Sequence, residues 1–211
     1  LMSVKDLCKN RLFLLMLVVM LCAGASELTM SQWSSLFAET GLGVSKTLGD
    51  LLGPCLFAAL MGTGRLLYGL YGSRLNLKNC LLFCGSLCIL CYLTTVFAPH
   101  PLLSLVGCAV CGFSVSLMWP GACSDTAARF PKGGTAMFGM MAVFGDLGAS
   151  LGPWMSGVVS DLSQNTGFLQ NLQATTGEEL SQLGLKAGLL AGVIFPLVLV
   201  VSIGYLKKKR V

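Results

Sequence analysis

Residues 12–36 read LFLLMLVVMLCAGASELTMSQWSSL, an almost unbroken apolar run with one ionisable side chain, Glu27. As a helix rising about 1.5 Å per residue, such a run is long enough to cross roughly 30 Å of hydrocarbon. Five more windows of this kind follow, at 47–70, 78–97, 101–124, 134–160 and 184–206. The first follows Lys5, Lys9 and Arg11 in the manner of a signal peptide. It is too long for one, continues into Trp33 and Phe37, and has no convincing cleavage site. Few β-branched alternations occur in any window, which argues against a membrane barrel. The expectation is an all-α polytopic membrane protein, a single membrane domain over residues 1–211 with six transmembrane helices.

Composition agrees. Of 211 residues 55% are hydrophobic and 11% charged, where a soluble domain carries roughly 25% charged residues to cover itself in water. Six spans make ends and loops alternate between sides. One side then collects Lys5, Lys9, Arg11, Arg65, Arg74, Lys78, Arg129, Lys132, Lys207, Lys208, Lys209 and Arg210, and the other only Lys46 and Lys186. By the positive-inside rule both termini are cytoplasmic and the chain is integral to the cell (plasma) membrane. The net charge of +5 therefore calls for no nucleic acid. The closing Lys-Lys-Lys-Arg run reads as an anchor beside anionic lipid headgroups.

Ten cysteines invite a metal reading. Cys80, Cys84, Cys88 and Cys91 share one helix face, and Cys108 and Cys111 form a C-x-x-C. All but Cys8 fall within a predicted span, and the single histidine, His100, lies in the turn Pro99-His100-Pro101. The expectation is no metal, no disulfide and no cofactor, with cysteine serving as a small apolar residue that lets helices approach. No nucleophile–His–acid set and no phosphate loop points to an enzyme.

Ionisable residues inside hydrocarbon are costly and face protein or a water-filled cavity. Glu27 lies about 22 Å along the first span, past the midplane. Gly24, Glu27, Ser31 and Ser34 recur at helical spacing as a polar stripe, flanked by Gln32 and Trp33. The stripe reads as a cavity wall or as a hydrogen-bonding seam between helices. As a cavity wall, it makes Glu27 a candidate to bind a polar solute or carry a coupling proton. Asp146 lies near mid-depth in the fifth span, either functional or in a structural hydrogen bond. Beside it Gly145, Ala149, Gly152 and Ser156 form a face of small residues for close helix packing. Pro153 removes a backbone hydrogen bond and is expected to bend the helix. Asp161 and the Glu178–Glu179 pair are expected to be solvated in a loop. Gly49-Asp50-Leu51 with Leu52-Gly53-Pro54 is echoed by Gly145-Asp146-Leu147 with Leu151-Gly152-Pro153. Six spans divide into two units of three, necessarily of opposite orientation, the layout of an inverted repeat.

Several stretches resemble the carboxy-terminal half of a major facilitator superfamily transporter, in particular bacterial members of the fucose-permease-like group. They are Ala25-Ser26-Glu27 with Gln32-Trp33, Met118-Trp119-Pro120-Gly121, residues 130–138 (FPKGGTAMF), and Gly145-Asp146-Leu147-Gly148 through Gly152-Pro153. Residues 64–74 (GRLLYGLYGSR) resemble the superfamily's cytoplasmic loop signature, with Gly69 at the usually acidic position. That resemblance implies a gating role for Arg65, Gly72 and Arg74. It also implies that the first helix of each three-helix unit lines a central cavity. Glu27, Ser31, Ser34, Trp33, Ser114, Trp119 and Asp146 are then the candidates for solute contact or proton coupling, with Gly145, Ala149, Gly152 and Pro153 in helix packing. The function implied is transport of a small polar solute, a sugar or related metabolite, with proton coupling. The superfamily has twelve spans and this chain six, opening Leu1-Met2. The expectation is half of a transporter in the lipid bilayer, working with a missing N-terminal six-helix half or a second copy of itself. The alternative is a truncated, non-transporting membrane protein that only packs with partner helices.

Overall fold

A computed structural model describes residues 2–42 and 45–208, without the side chains of residues 40–42. Lys209 and Arg210, counted above in the basic tail, lie outside the described residues. All regular structure among the described residues is helical. Six helices are long and apolar enough to cross a membrane: span one, Arg11–Glu39; span two, Lys46–Arg74; span three, Leu77–Phe97; span four, Pro101–Arg129; span five, Gly134–Gln164; span six, Leu180–Lys208. Spans one, two, four and six end on Arg11, Arg74, Arg129 and Lys208, whose long basic side chains reach the interface while their stems stay in hydrocarbon.

The ends of the spans gather by side as the charges require. Val4–Lys9 forms a short helix with a capping box between Ser3 and Asp6, and it buries Leu7. The Met2 amide donates to the Lys132 carbonyl at 2.8 Å, and Phe13 meets Phe130 edge-on at 5.6 Å. The N-terminal segment therefore lies against the turn between spans four and five, on the face that carries most of the lysine and arginine. On the opposite face Phe37, Pro99, Ser104 and Gln182 enclose a pocket of about 60 Å³ with Lys186 and Glu178. Lys186 Nζ bonds both Glu178 oxygens, at 2.9 and 2.8 Å. Glu178 is thus paired, not simply solvated, since the connector helix Gly167–Thr176 folds back and brings it to span six.

Two close seams organise the bundle. Spans one and five meet backbone to backbone: a Cβ on Gly24 would strike the Gly145 carbonyl, and one on Gly148 the Leu21 carbonyl. Gly152 continues the seam against Ala25 and Thr29. Gly148, not Ala149, is the buried member at that level. Spans four and two repeat the device, Gly112 lying on the Phe57 carbonyl and Gly64 on Ser116. Exchanging spans one and five for spans four and two relates the seams, which is an inverted three-plus-three layout. The short matched segments do not carry that symmetry. Gly53 packs on Ser34 of span one, and Gly152 packs on span one as well, so the two occupy different structural positions.

Three prolines coincide with breaks. A proline lacks the N–H that would bond the carbonyl four residues earlier. Pro54 sits in a π-turn at Leu51–Cys55. Pro120 follows a break at Ser116–Leu117, and Pro196 follows one at Val193. Span five runs through Pro153 as one helix. Spans one and four are central, with 61% and 67% of their apolar stretches buried; spans two and five show 17% and 22%, so they carry the open faces. The Tyr92 hydroxyl ties span three to span one by donating to the Ser26 carbonyl at 2.8 Å.

Substituting Gly148 by Val should cost about 1–3 kcal/mol, the range for overpacking, through separation of spans one and five. Gly139→Val, on the same helix with open space around it, should be nearly neutral. Unfolding midpoints of both variants in the same detergent test this; equal midpoints would show that the seam does not hold the fold.

Candidate solute site

Four of the candidate side chains come from four different spans. Glu27 on span one is half-buried, and Arg65 on span two is the cation that acts on it electrostatically. The two make no ion pair within 4.0 Å among the described residues. Trp119 on span four lays its ring on Gly145 of span five, where any Cβ would clash. Asp146, the next residue, is exposed. It lies about 18 Å into span five from Gly134, near mid-depth.

Arg65 is anchored by the break in span four. Pro120 leaves the Ser116 carbonyl without its helical donor, and Arg65 Nε donates to that oxygen at 3.1 Å. A carbonyl unsatisfied in hydrocarbon is costly, so a charged donor from the neighbouring helix replaces the missing bond. The one bond orients the guanidinium and leaves its two Nη groups as donors for other acceptors. Arg65, Trp119, Pro120 and Ser124 line a cleft of about 330 Å³ with Tyr68 and Leu117.

The remaining candidates fall elsewhere. Ser31 is half-buried beside Glu27's face, and its carbonyl accepts from Ser34 at 3.0 Å. Ser34 itself is buried against Gly53 in the seam with span two. Trp33 turns towards Gly157 on span five. Ser114 is buried and donates to the Cys111 carbonyl at 2.6 Å. The polar stripe thus contributes to both a face and a seam. Gly145 and Gly152 are buried, while Ala149 and Pro153 are half-buried. Gly72 and Arg74 form a single 3-10 turn at the end of span two, whereas Arg65 points into the span, away from that turn. At the base of span four Arg129 pairs with Asp125 at 3.0 Å, both nine-tenths buried. The sequence reading passed over Asp125, although an acid four residues before an arginine at a helix end is a legible signal. Cys88 of span three and Cys111 of span four pack together, their sulfurs 3.9 Å apart.

The tie between Pro120 and Arg65 is testable by a double-mutant cycle. Pro120→Ala restores an amide that can bond Ser116, so Arg65→Gln should destabilise the wild type by about 1.5–3 kcal/mol and the Pro120→Ala background by less. Additive losses in unfolding measurements would show that the carbonyl does not need Arg65.

The family model described as Major Facilitator Superfamily matches residues 1–153, which takes in the first four spans, the cleft and most of span five. Searches of curated proteins and of solved structures returned no match. With six apolar helices and the family's match over well over half its length, this multi-pass membrane chain belongs to the Major Facilitator Superfamily, a family of membrane transporters.

Proposed function

We propose that the chain forms one half of a secondary transporter that carries a small polar solute across the cell membrane, with a proton as the coupling ion. The observations that support this most directly are the electrostatic action of Arg65 on Glu27 and the cleft that Arg65 lines together with Trp119. A carboxylate and a guanidinium held close without an ion pair give a solute both an acceptor and a donor. Glu27 is the proposed proton carrier. Asp146 is the group that completes the site across from a second six-helix body, and the indole of Trp119 packs against the solute ring. The sugar-like class of solute rests on the resemblance of residues 118–161 to fucose-permease-like members.

The partner is the complementary six-helix half or a second copy of this chain, and the open faces of spans two and five support such a body. Two halves would then rock about the central cleft, with Gly72 and Arg74 controlling one end. The concentration of basic residues on the N-terminal side supports cytoplasmic termini.

In vesicles holding the chain in its assembly, Glu27→Gln should lower uptake of labelled monosaccharides at least tenfold and abolish its stimulation by an imposed proton gradient. Unchanged uptake with unchanged stimulation removes Glu27 from the mechanism. For topology, Cys8 is exposed on the N-terminal helix. A membrane-impermeant maleimide should modify it only after cells are permeabilised; modification in intact cells would reverse the orientation.

A further inference from the structure

Spans two and three follow one another in the chain with only a short turn between them, yet they do not pack together along their lengths. Each instead packs on span four, and a groove of about 690 Å³ opens between them. Phe113 and Leu117 of span four form its floor, Leu67 and Tyr71 one wall, and Phe83 the other. These walls lie at hydrocarbon depth and offer too few polar partners to hold water. The groove ends at the basic face, where Arg74 and Asn76 line it.

Arg74 is the only charged residue in the lining, and no carboxylate offsets it. It is exposed and makes no ion pair among the described residues. Asn76 spends its carbonyl oxygen on the Lys78 and Asn79 amides at the start of span three, which leaves its amide nitrogen to donate. An apolar trough that opens beside a cation and an amide donor, at the level where headgroups lie, has the shape and charge of one kind of occupant.

We infer that this groove is a binding site for an anionic phospholipid, with one acyl chain lying between spans two and three and the phosphate held by Arg74 and Asn76. A zwitterionic lipid carries its own cation and gains less from Arg74. One basic residue at the membrane surface corresponds to roughly a fivefold preference for the anionic lipid. The site also borders the solute cleft: Tyr68 and Leu117 line both, and Ser116, the carbonyl that holds Arg65, faces the groove. The assignment does not depend on which solute is carried, or on whether any is.

The test is native mass spectrometry of the purified protein in mild detergent, titrated with equal amounts of palmitoyl-oleoyl phosphatidylglycerol and phosphatidylcholine. One phosphatidylglycerol should be retained about fivefold over phosphatidylcholine. Arg74→Gln should reduce that preference to parity, while Lys132→Gln, on the same face but away from the groove, should keep it. Cys80→Trp should fill the groove and lower retention of both lipids; Leu67→Trp, at an exposed position on the opposite wall, serves if the first variant unfolds. Equal retention of the two lipids by the wild type, a preference that survives Arg74→Gln, or equal losses in Arg74→Gln and Lys132→Gln would each overturn the assignment.

Discussion

In hydrocarbon a backbone carbonyl has no water to turn to, and this constraint shapes the centre of the molecule. An unbroken helix satisfies every carbonyl internally, so each proline in a span raises the question of what replaces the lost donor. Span four answers it with Arg65, whose Nε bonds the Ser116 oxygen that Pro120 leaves free. The same bond fixes the orientation of a cation that acts electrostatically on Glu27. A local need of the main chain thus places the one guanidinium that the candidate site uses. Span two meets the same problem with a π-turn around Pro54, at the far end of the bundle from the basic face.

The membrane class and the number of spans were legible because they depend on summed properties. Apolar length and the side-by-side tally of lysine and arginine do not require knowing which helix touches which. The small-residue face of span five was legible for a related reason, since helical spacing alone puts Gly145 and Gly152 on one side. What spacing does not give is the partner. The polar stripe on span one splits, with Ser34 turned into the seam with span two and Glu27 left at the open side, because span two crosses span one only near its outer end. The role of Arg65 was hidden for the same reason: sequence places it close to a loop motif, and only the crossing of spans two and four brings it to Ser116, fifty-one residues away in the chain. The paired segments around Asp50 and Asp146 show the opposite failure, a likeness in letters between positions that pack differently.

The two glycine seams set how the bundle can move as well as how it holds. At Gly24 and Gly148 spans one and five touch through main chain with no side chain interlocked at those two points, so small rotations there meet little steric resistance while separation forfeits close contacts. Spans three and six clamp the outside, through Tyr92 against Gly192 and its bond to Ser26. The half is therefore firm at its rear and smooth through its middle.

That smoothness has an evolutionary consequence. Every single-base change in a glycine codon that alters the residue adds at least a β-carbon. At Gly24, Gly112 and Gly148 that carbon would land on a facing carbonyl. The gene has no small step available at these positions, so the seams would drift least as the chain diverges, while exposed positions with open space around them, such as Gly139, would drift most.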